Sequence, residues 1–137
     1  MWPFSRTPEV VGLLAGTMLE RRLKTINPKM RIIHHDRLYK VPKDPAHIMR
    51  IIGRVRRNYF RESFDCDDYN RVALQRLSDA GYGNYLVMAC SIQRPGRANH
   101  ALLGFLTPDR KGFVFGDSRW GRLREFSTTP TVYQLYI

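Results

Sequence analysis

The pattern of apolar and polar positions predicts helices in the first half of the chain and strands in the second. Apolar residues at helical spacing predict three helices, at 10–24, 46–61 and 63–80. Apolar runs with strand character follow, at 85–93, 100–106, 113–117 and 132–137. A further segment, 30–41, suits a strand or extended chain. The order predicts an α+β protein, with helices packed on an antiparallel sheet.

Local signals set the ends of several elements. Asp44 and Pro45 have the residue types of an N-cap and a first helical position, so a helix is expected to begin there. Gly81 is expected to end the third helix. The turn at 107–112 contains Pro, Asp and Gly, which predicts a hairpin between the strands on either side.

Length and composition predict one domain. A chain of 137 residues, 43% of them apolar, can bury a core of its own. Within it we distinguish an N-terminal arm, 1–45, from a core, 46–137. Two cysteines make no disulfide framework, and no apolar run reaches the roughly 20 residues of a membrane span. With no convincing signal peptide, a cytoplasmic location is expected.

The charge is strongly basic and unevenly distributed. The net charge of +11 divides into +9 for residues 1–64 and +2 for residues 65–137. Four arginines of the predicted second helix recur at a spacing that gives one stripe: Arg50, Arg54, Arg57 and Arg61. Guanidinium groups pair well with phosphate and carboxylate, so this stripe is a candidate surface for an anionic partner. An ordinary solvated helix face would show the same pattern.

Three residues of the second half have the chemistry of a thiol site. Cys66 lies at the start of the third predicted helix, where a helix N-terminus lowers the pKa of a thiol. Pairing across the 107–112 turn would bring His100 opposite Asp117, at one end of the sheet. Asp117 could then orient His100 as the base for Cys66. Each residue alone has a plain structural explanation, as a core cysteine, a satisfied histidine and a turn aspartate.

These residues resemble a family. Asp65-Cys66-Asp67-Asp68-Tyr69, His100-Ala101-Leu102-Leu103 and Asp117 are similar to the bacterial transglutaminase-like cysteine peptidases of the papain-like superfamily. The resemblance implies a papain/transglutaminase-like fold, in which a Cys-bearing helix packs on an antiparallel sheet. It implies a peptidase or amidase with Cys66 as nucleophile, His100 as base and Asp117 as orienter, acting through a thioester. No cofactor is required, although some relatives bind calcium at acids that map to Asp65 and Asp67.

Two functions follow as hypotheses. The first is a thiol hydrolase or transferase that acts on an amide bond of a peptide or protein, with an acidic substrate favoured by the basic charge. The alternative is a catalytically silent member of the same fold that binds nucleic acid or another anionic partner through its arginines. In that alternative, aromatic residues such as Trp120 could stack on bases.

Overall fold

The computed structural model describes residues 6–35, 37–56, 66–93, 99–107, 109 and 111–137. In chain order the described elements are β1 (Val10–Ala15), α1 (Gly16–Ile26), β2 (Arg31–Ile33), β3 (Leu38–Pro42), α2 (Pro45–Ile52), α3 (Cys66–Asp79), β4 (Met88–Gln93), β5 (His100–Leu106), β6 (Phe113–Asp117), β7 (Arg122–Arg124) and β8 (Thr131–Tyr136). The expected strands at 100–106 and 113–117 are confirmed at both ends, and the third predicted helix is confirmed as α3.

A six-stranded sheet with the order β2-β8-β4-β5-β6-β7 forms the centre of the fold. Its pairs are antiparallel, apart from β2 with β8, which run parallel. The prediction of a wholly antiparallel sheet is therefore wrong. A parallel neighbour requires a long connection, and β2 and β8 lie about 100 residues apart in the chain, so no local pattern signals their pairing.

Alternation along the strands gives this sheet two buried faces. One face packs on α1 and on β1 and β3, and its core includes Leu23, Tyr39, Cys90, Leu102 and Leu135. We call it the α1 face. The opposite face packs on α2 and α3, and its core includes Ile48, Tyr69, Leu77, Val87 and Leu103. We call it the α3 face. Because both faces are covered, the inner strand β5 is buried over nearly its whole length.

The first predicted helix begins six residues later than expected. Residues 10–15 form β1, which pairs with β3 in a separate two-stranded sheet, and α1 begins only at Gly16. In this sheet Leu14 pairs with Tyr39, and both side chains enter the α1-face core. The pair of β-branched residues, Val10 and Val11, favours a strand once such a partner is available.

The second predicted helix is much shorter than expected. Asp44 caps it as predicted, since its carboxylate accepts a hydrogen bond from the Ala46 N–H (3.0 Å) and Pro45 occupies the first turn. The helix ends at Ile52, because Gly53 has φ of 69°, a left-handed conformation that favours glycine and stops a helix. The amphipathic pattern up to residue 61 therefore does not correspond to one continuous helix.

In the part of the chain that the structure describes, no helix combines the length and the apolar character needed to cross a membrane.

Candidate functional site

Cys66 is the first described residue of α3 and is partly buried. Residues 57–65 lie outside the described part of the chain, so the place of Cys66 at a helix N-terminus stays a prediction. Two of the neighbouring acids have different surroundings. Asp68 forms an ion pair with Arg71 one turn along the helix. Asp67 lines a cavity beside α3. Asp65 lies outside the described residues. Asp67 and Asp68 both lie in the first described turn of α3.

The hairpin of β5 and β6 differs in register from the one predicted. Leu103 pairs with Gly116, so the direct opposition of His100 and Asp117 is wrong by two residues. His100 pairs instead with Ile92 of β4, whose side chain belongs to the α1-face core. Asp117 is almost completely buried. The assignment of Cys66, His100 and Asp117 to one site stays a prediction.

The carboxylate of Asp117 accepts a hydrogen bond and forms an ion pair. Its Oδ1 accepts a hydrogen bond from the backbone N–H of Arg119 (3.1 Å). Its Oδ2 lies 3.5 Å from Nη1 of Arg124 on the neighbouring strand. These contacts give Asp117 a clear role in closing the turn between β6 and β7.

A cavity of about 670 Å³ lies on the α3 face of the sheet, beside α3 and over β4. It forms where α2 and α3 leave part of that face uncovered: α2 contacts β6 and β7, and α3 contacts mainly β5. Its floor includes the apolar side chains Val87, Ala89 and Ala101, and Tyr136 of β8 stands at its edge. A concave site with an apolar floor and polar side chains is the usual form of a small-molecule site, which makes this cavity the default binding site.

Polar side chains of α3 make up one wall of the cavity. Six cavity-lining residues of α3 recur at the i, i+3, i+4, i+7, i+8, i+11 spacing of one helix face: Asp67, Asn70, Arg71, Leu74, Gln75 and Ser78. All of them except Leu74 are polar. Arg37, directly before β3, also lines the cavity, and its Cζ lies over the ring of Tyr39, 5.0 Å from the ring centroid. The wall therefore offers carboxylate, amide, hydroxyl and guanidinium groups on a rigid helix.

The sequence did not point to these cavity residues. A polar helix face is normally a solvated surface, and Asn70 or Gln75 in such a face has no distinguishing pattern. Only the pairing of β4 with β5 and β8 shows that this face overlooks an uncovered part of the sheet. The one predicted residue that does line the cavity is Asp67, which was singled out for calcium.

The predicted arginine stripe is not one helix face. Arg50 lies in the last turn of α2 and has its Nη2 3.8 Å from the Asp44 carboxylate. Arg54 follows the helix end and donates from Nε to the carbonyl of Arg119 (3.3 Å). Arg57 and Arg61 lie outside the described residues. Binding of an anionic partner by these four arginines stays a prediction.

The calcium hypothesis likewise stays a prediction. Among the described residues, no three His, Cys, Asp or Glu side chains come together in an arrangement that could hold a metal ion. Of the two acids, Asp67 lies in α3 and Asp65 lies outside the described residues.

Comparison with known proteins gives a fold and no family. No family model matches the chain, and no curated protein does. One similar solved structure is the PSL1a-E64 complex, with 17% identity and a TM-score of 0.72 over 91% of this chain and 51% of that one. Another is a Polyporus squamosus lectin bound to Neu5Acα2-6Galβ1-4GlcNAc, a human-type influenza-binding epitope, with 18% identity and a TM-score of 0.67 over 91% and 49%.

These matches show that the chain shares its fold with part of each structure. It spans about half of their length. Neither is described as a transglutaminase-like peptidase, so the predicted family is contradicted, and with it the papain/transglutaminase-like fold class. The residues behind that resemblance were a few short motifs. Such motifs carry little information about the parallel β2–β8 pair or the separate β1–β3 sheet.

The functional predictions made from that family are corrected with it. They were the thiol hydrolase with its thioester intermediate, the enzyme class, and the silent nucleic-acid-binding member of the same fold. The ligand named for the lectin is a glycan, and the ligand named for the PSL1a structure is E64.

Proposed function

We propose that this protein is a glycan-binding module and that its sugar site is the cavity beside α3. The observation that carries the proposal is the make-up of this cavity, in which hydrogen-bonding side chains of α3 face an apolar floor and an aromatic ring. The chain also shares its fold with about half of a lectin whose solved structure holds a glycan.

Sugars require this combination of groups. Each hydroxyl both donates and accepts, so it is matched by side chains that carry donors and acceptors close together. Gln75 offers both through its amide, and Asn70 adds its NH2 group, since its Oδ1 already accepts from Ser118. Asp67 accepts, and Arg71 donates from a planar fork. All four residues lie on α3, and the helix holds their backbone positions fixed relative to one another.

The apolar groups of the cavity suit the other surface of a sugar. A pyranose ring presents C–H groups that pack on apolar and aromatic surfaces. Val87 and Ala89 supply the apolar floor, and Tyr136 supplies an aromatic ring that is nearly half exposed. The hydroxyl of Tyr136 accepts a hydrogen bond from Nε2 of Gln134 (2.8 Å), which fixes the ring's position. A volume of about 670 Å³ is in the range of small-molecule sites and accommodates a short oligosaccharide.

Titration with two sugars tests the proposal. The probes are Galβ1-4GlcNAc, the neutral part of the epitope bound by the lectin, and the complete trisaccharide. Backbone amide shifts measured by NMR are expected to change along α3 and β4 and to leave α1 unaffected. If neither probe produces shifts, or the shifts cluster away from α3 and β4, the proposed function is wrong.

A matched pair of glutamine variants locates the site. Gln75→Ala removes an amide from the cavity wall, and Gln93→Ala removes one from an exposed position at the end of β4. We expect Gln75→Ala to weaken binding by about 3- to 10-fold, the effect of one lost hydrogen bond, and Gln93→Ala to leave it unchanged. Equal effects of the two changes would place the sugar elsewhere.

A further inference from the structure

Beside the first turns of α3, but outside the cavity lining, lies an exposed tryptophan flanked by arginines. The side chain of Trp120, in the turn between β6 and β7, is 47% exposed. Two guanidinium groups lie over its indole ring, with the Cζ atoms of Arg54 and Arg119 at 4.9 and 5.2 Å from the ring centroid. We call these three residues the arginine platform.

The backbone beneath this platform is held in place. The N–H of Val55 donates to the carbonyl of Ser118 (3.0 Å), which joins the segment after α2 to the turn. Arg76 of α3 donates from Nη1 to the carbonyls of Ile52 and Arg54, at 3.1 and 3.0 Å. The arginines of the platform are therefore presented by a fixed backbone, although their side chains are exposed.

Positive charge is concentrated around this platform. Arg56 and Arg122, two residues from Arg54 and Trp120 respectively, are also exposed. Asp117, the acid in the same turn, is buried and has Arg124 3.5 Å away. Among the described residues, no carboxylate is paired with Arg54. A positive surface with preorganised guanidinium groups favours an anionic ligand.

We propose that the arginine platform binds an anionic glycan, through sulfate or carboxylate groups on its sugars. This inference rests on the proposed glycan-binding function for the choice of ligand class, and it adds a second subsite with its own chemistry. Guanidinium groups form paired hydrogen bonds with both kinds of anion.

The packing at Trp120 favours a glycan over nucleic acid. Base recognition by an exposed aromatic side chain uses an open ring face. Here the indole already carries the guanidinium groups of Arg54 and Arg119. The two contacts cover part of the indole and orient the guanidinium groups, and Arg119 also lies over the ring of Tyr69, with its Cζ 5.9 Å from the centroid. Charge pairing by these groups is therefore the means of recognition that we propose.

The test measures binding of three charged probes by calorimetry at low salt. A heparin-derived tetrasaccharide carries sulfate and carboxylate, tetragalacturonate carries carboxylate alone, and a single-stranded RNA octamer carries phosphate with bases. At least one of the two glycans is expected to bind, and comparing them shows whether sulfate is needed. If neither binds, or if only the RNA binds in a manner that depends on Trp120, the inference is overturned.

Four variants separate the platform from general charge. Arg54→Ala is expected to weaken binding of the glycan about 10-fold. Arg54→Lys keeps the charge but loses the planar fork, and is expected to lose most of the same affinity. Trp120→Phe keeps an aromatic ring and is expected to have a smaller effect. Arg21→Ala, which removes an exposed charge on α1, is the matched control and should change affinity less than twofold.

The outcomes distinguish the two proposals. Equal losses of glycan affinity in the Arg21→Ala and Arg54→Ala variants would show that binding depends only on net charge. That result would overturn the proposal that the arginine platform is the binding site. The neutral disaccharide Galβ1-4GlcNAc, titrated into the same variants, should bind as it does to the wild type. If this neutral sugar fails to bind any of them while an anionic glycan binds through Arg54, the cavity proposal fails and the platform stands.

Discussion

Ser118 donates a hydrogen bond from its hydroxyl to Oδ1 of Asn70 (3.1 Å), and both side chains are almost completely buried, at 2% and 3% exposure. Asn70 also lines the cavity, and Ser118 directly precedes Arg119 of the arginine platform. One buried hydrogen bond thus connects the helix of the proposed sugar site to the turn of the second subsite. It lies at the point where α3 meets the end of β6.

Ser118→Ala should destabilise the protein by about 1–2 kcal/mol. The change removes the donor and leaves the Oδ1 atom of Asn70 buried without it, and an unsatisfied buried acceptor is costly. Urea unfolding followed by circular dichroism measures the difference. Ser127→Ala is the control, because Ser127 is exposed and its loss should change stability by less than about 0.5 kcal/mol. Equal stabilities for the two variants would contradict a structural role for this hydrogen bond.

Gly121→Ala should be more disruptive, by about 2–4 kcal/mol. Gly121 has φ of 71°, which disfavours alanine, and an added Cβ would lie 2.8 Å from the backbone nitrogen of Arg54. The turn carrying Trp120 would have to move away from Arg54. Thermal unfolding should show the loss, and binding of the heparin-derived tetrasaccharide should weaken with it.

Gly112→Ala provides the comparison for Gly121→Ala. A Cβ at residue 112 would meet only a methyl group of Thr107, at 4.0 Å, so little change in stability is expected. If both glycine variants unfold at the same temperature, the close approach between Gly121 and Arg54 does not limit which residue is tolerated at position 121.

Local patterns predicted the elements whose partners are close in sequence. The hairpin of β5 and β6 was predictable because its strands alternate cleanly and its turn has the expected residues. Its register was not, since a shift of two residues keeps every side chain on the same face. The first helix was misjudged for a different reason: Val10–Ala15 pairs with Leu38–Pro42, and that partner is invisible to a helical pattern. Gly53 was a readable stop signal within the second predicted helix.

The proposed site was less predictable than the fold. Cys66 stood out because cysteine is rare and reactive, and it lies in α3 as predicted. Asn70 and Gln75 are common residues on a polar helix face, and their role follows only from the uncovered sheet beneath them. Trp120 and Arg54 were each noticed in the sequence, but their contact joins segments 66 residues apart.

The two cysteines should differ strongly in reactivity in the native state. Cys66 is partly buried at a helix end, whereas Cys90 is fully buried in the α1-face core. Burial also raises the pKa of the Cys90 thiol, which keeps it in the unreactive protonated form. Iodoacetamide followed by mass spectrometry should therefore modify Cys66 first and Cys90 only after addition of urea. Modification of both at one rate without urea would contradict the burial of Cys90.

The raised pKa of Cys90 also predicts a loss of stability in alkaline solution. An unfolded cysteine has a pKa near 8.5, and the folded-state value lies well above it. The stabilisation is therefore fully present below about pH 8.5 and declines as the pH rises further, by up to about 1.4 kcal/mol per pH unit from this group. Desolvation, with a smaller contribution from Tyr82, raises the pKa of Tyr85 above its ordinary value of 10.0. The range from about pH 8.5 to 9.5 therefore lies below the titration of Tyr85, and the Cys90→Ala variant separates the Cys90 thiol from that of Cys66.

Urea unfolding at several pH values measures this dependence. Cys90→Ala should lower stability at pH 7 by leaving a cavity in the core, and should flatten the decline above about pH 8.5. Val132→Ala is the matched control, since it removes buried volume from the same core without removing a titrating group. It should lower stability at pH 7 and keep the wild-type decline. If Cys90→Ala and Val132→Ala follow parallel curves, the alkaline loss comes from other groups, and the Cys90 thiol does not couple folding to pH.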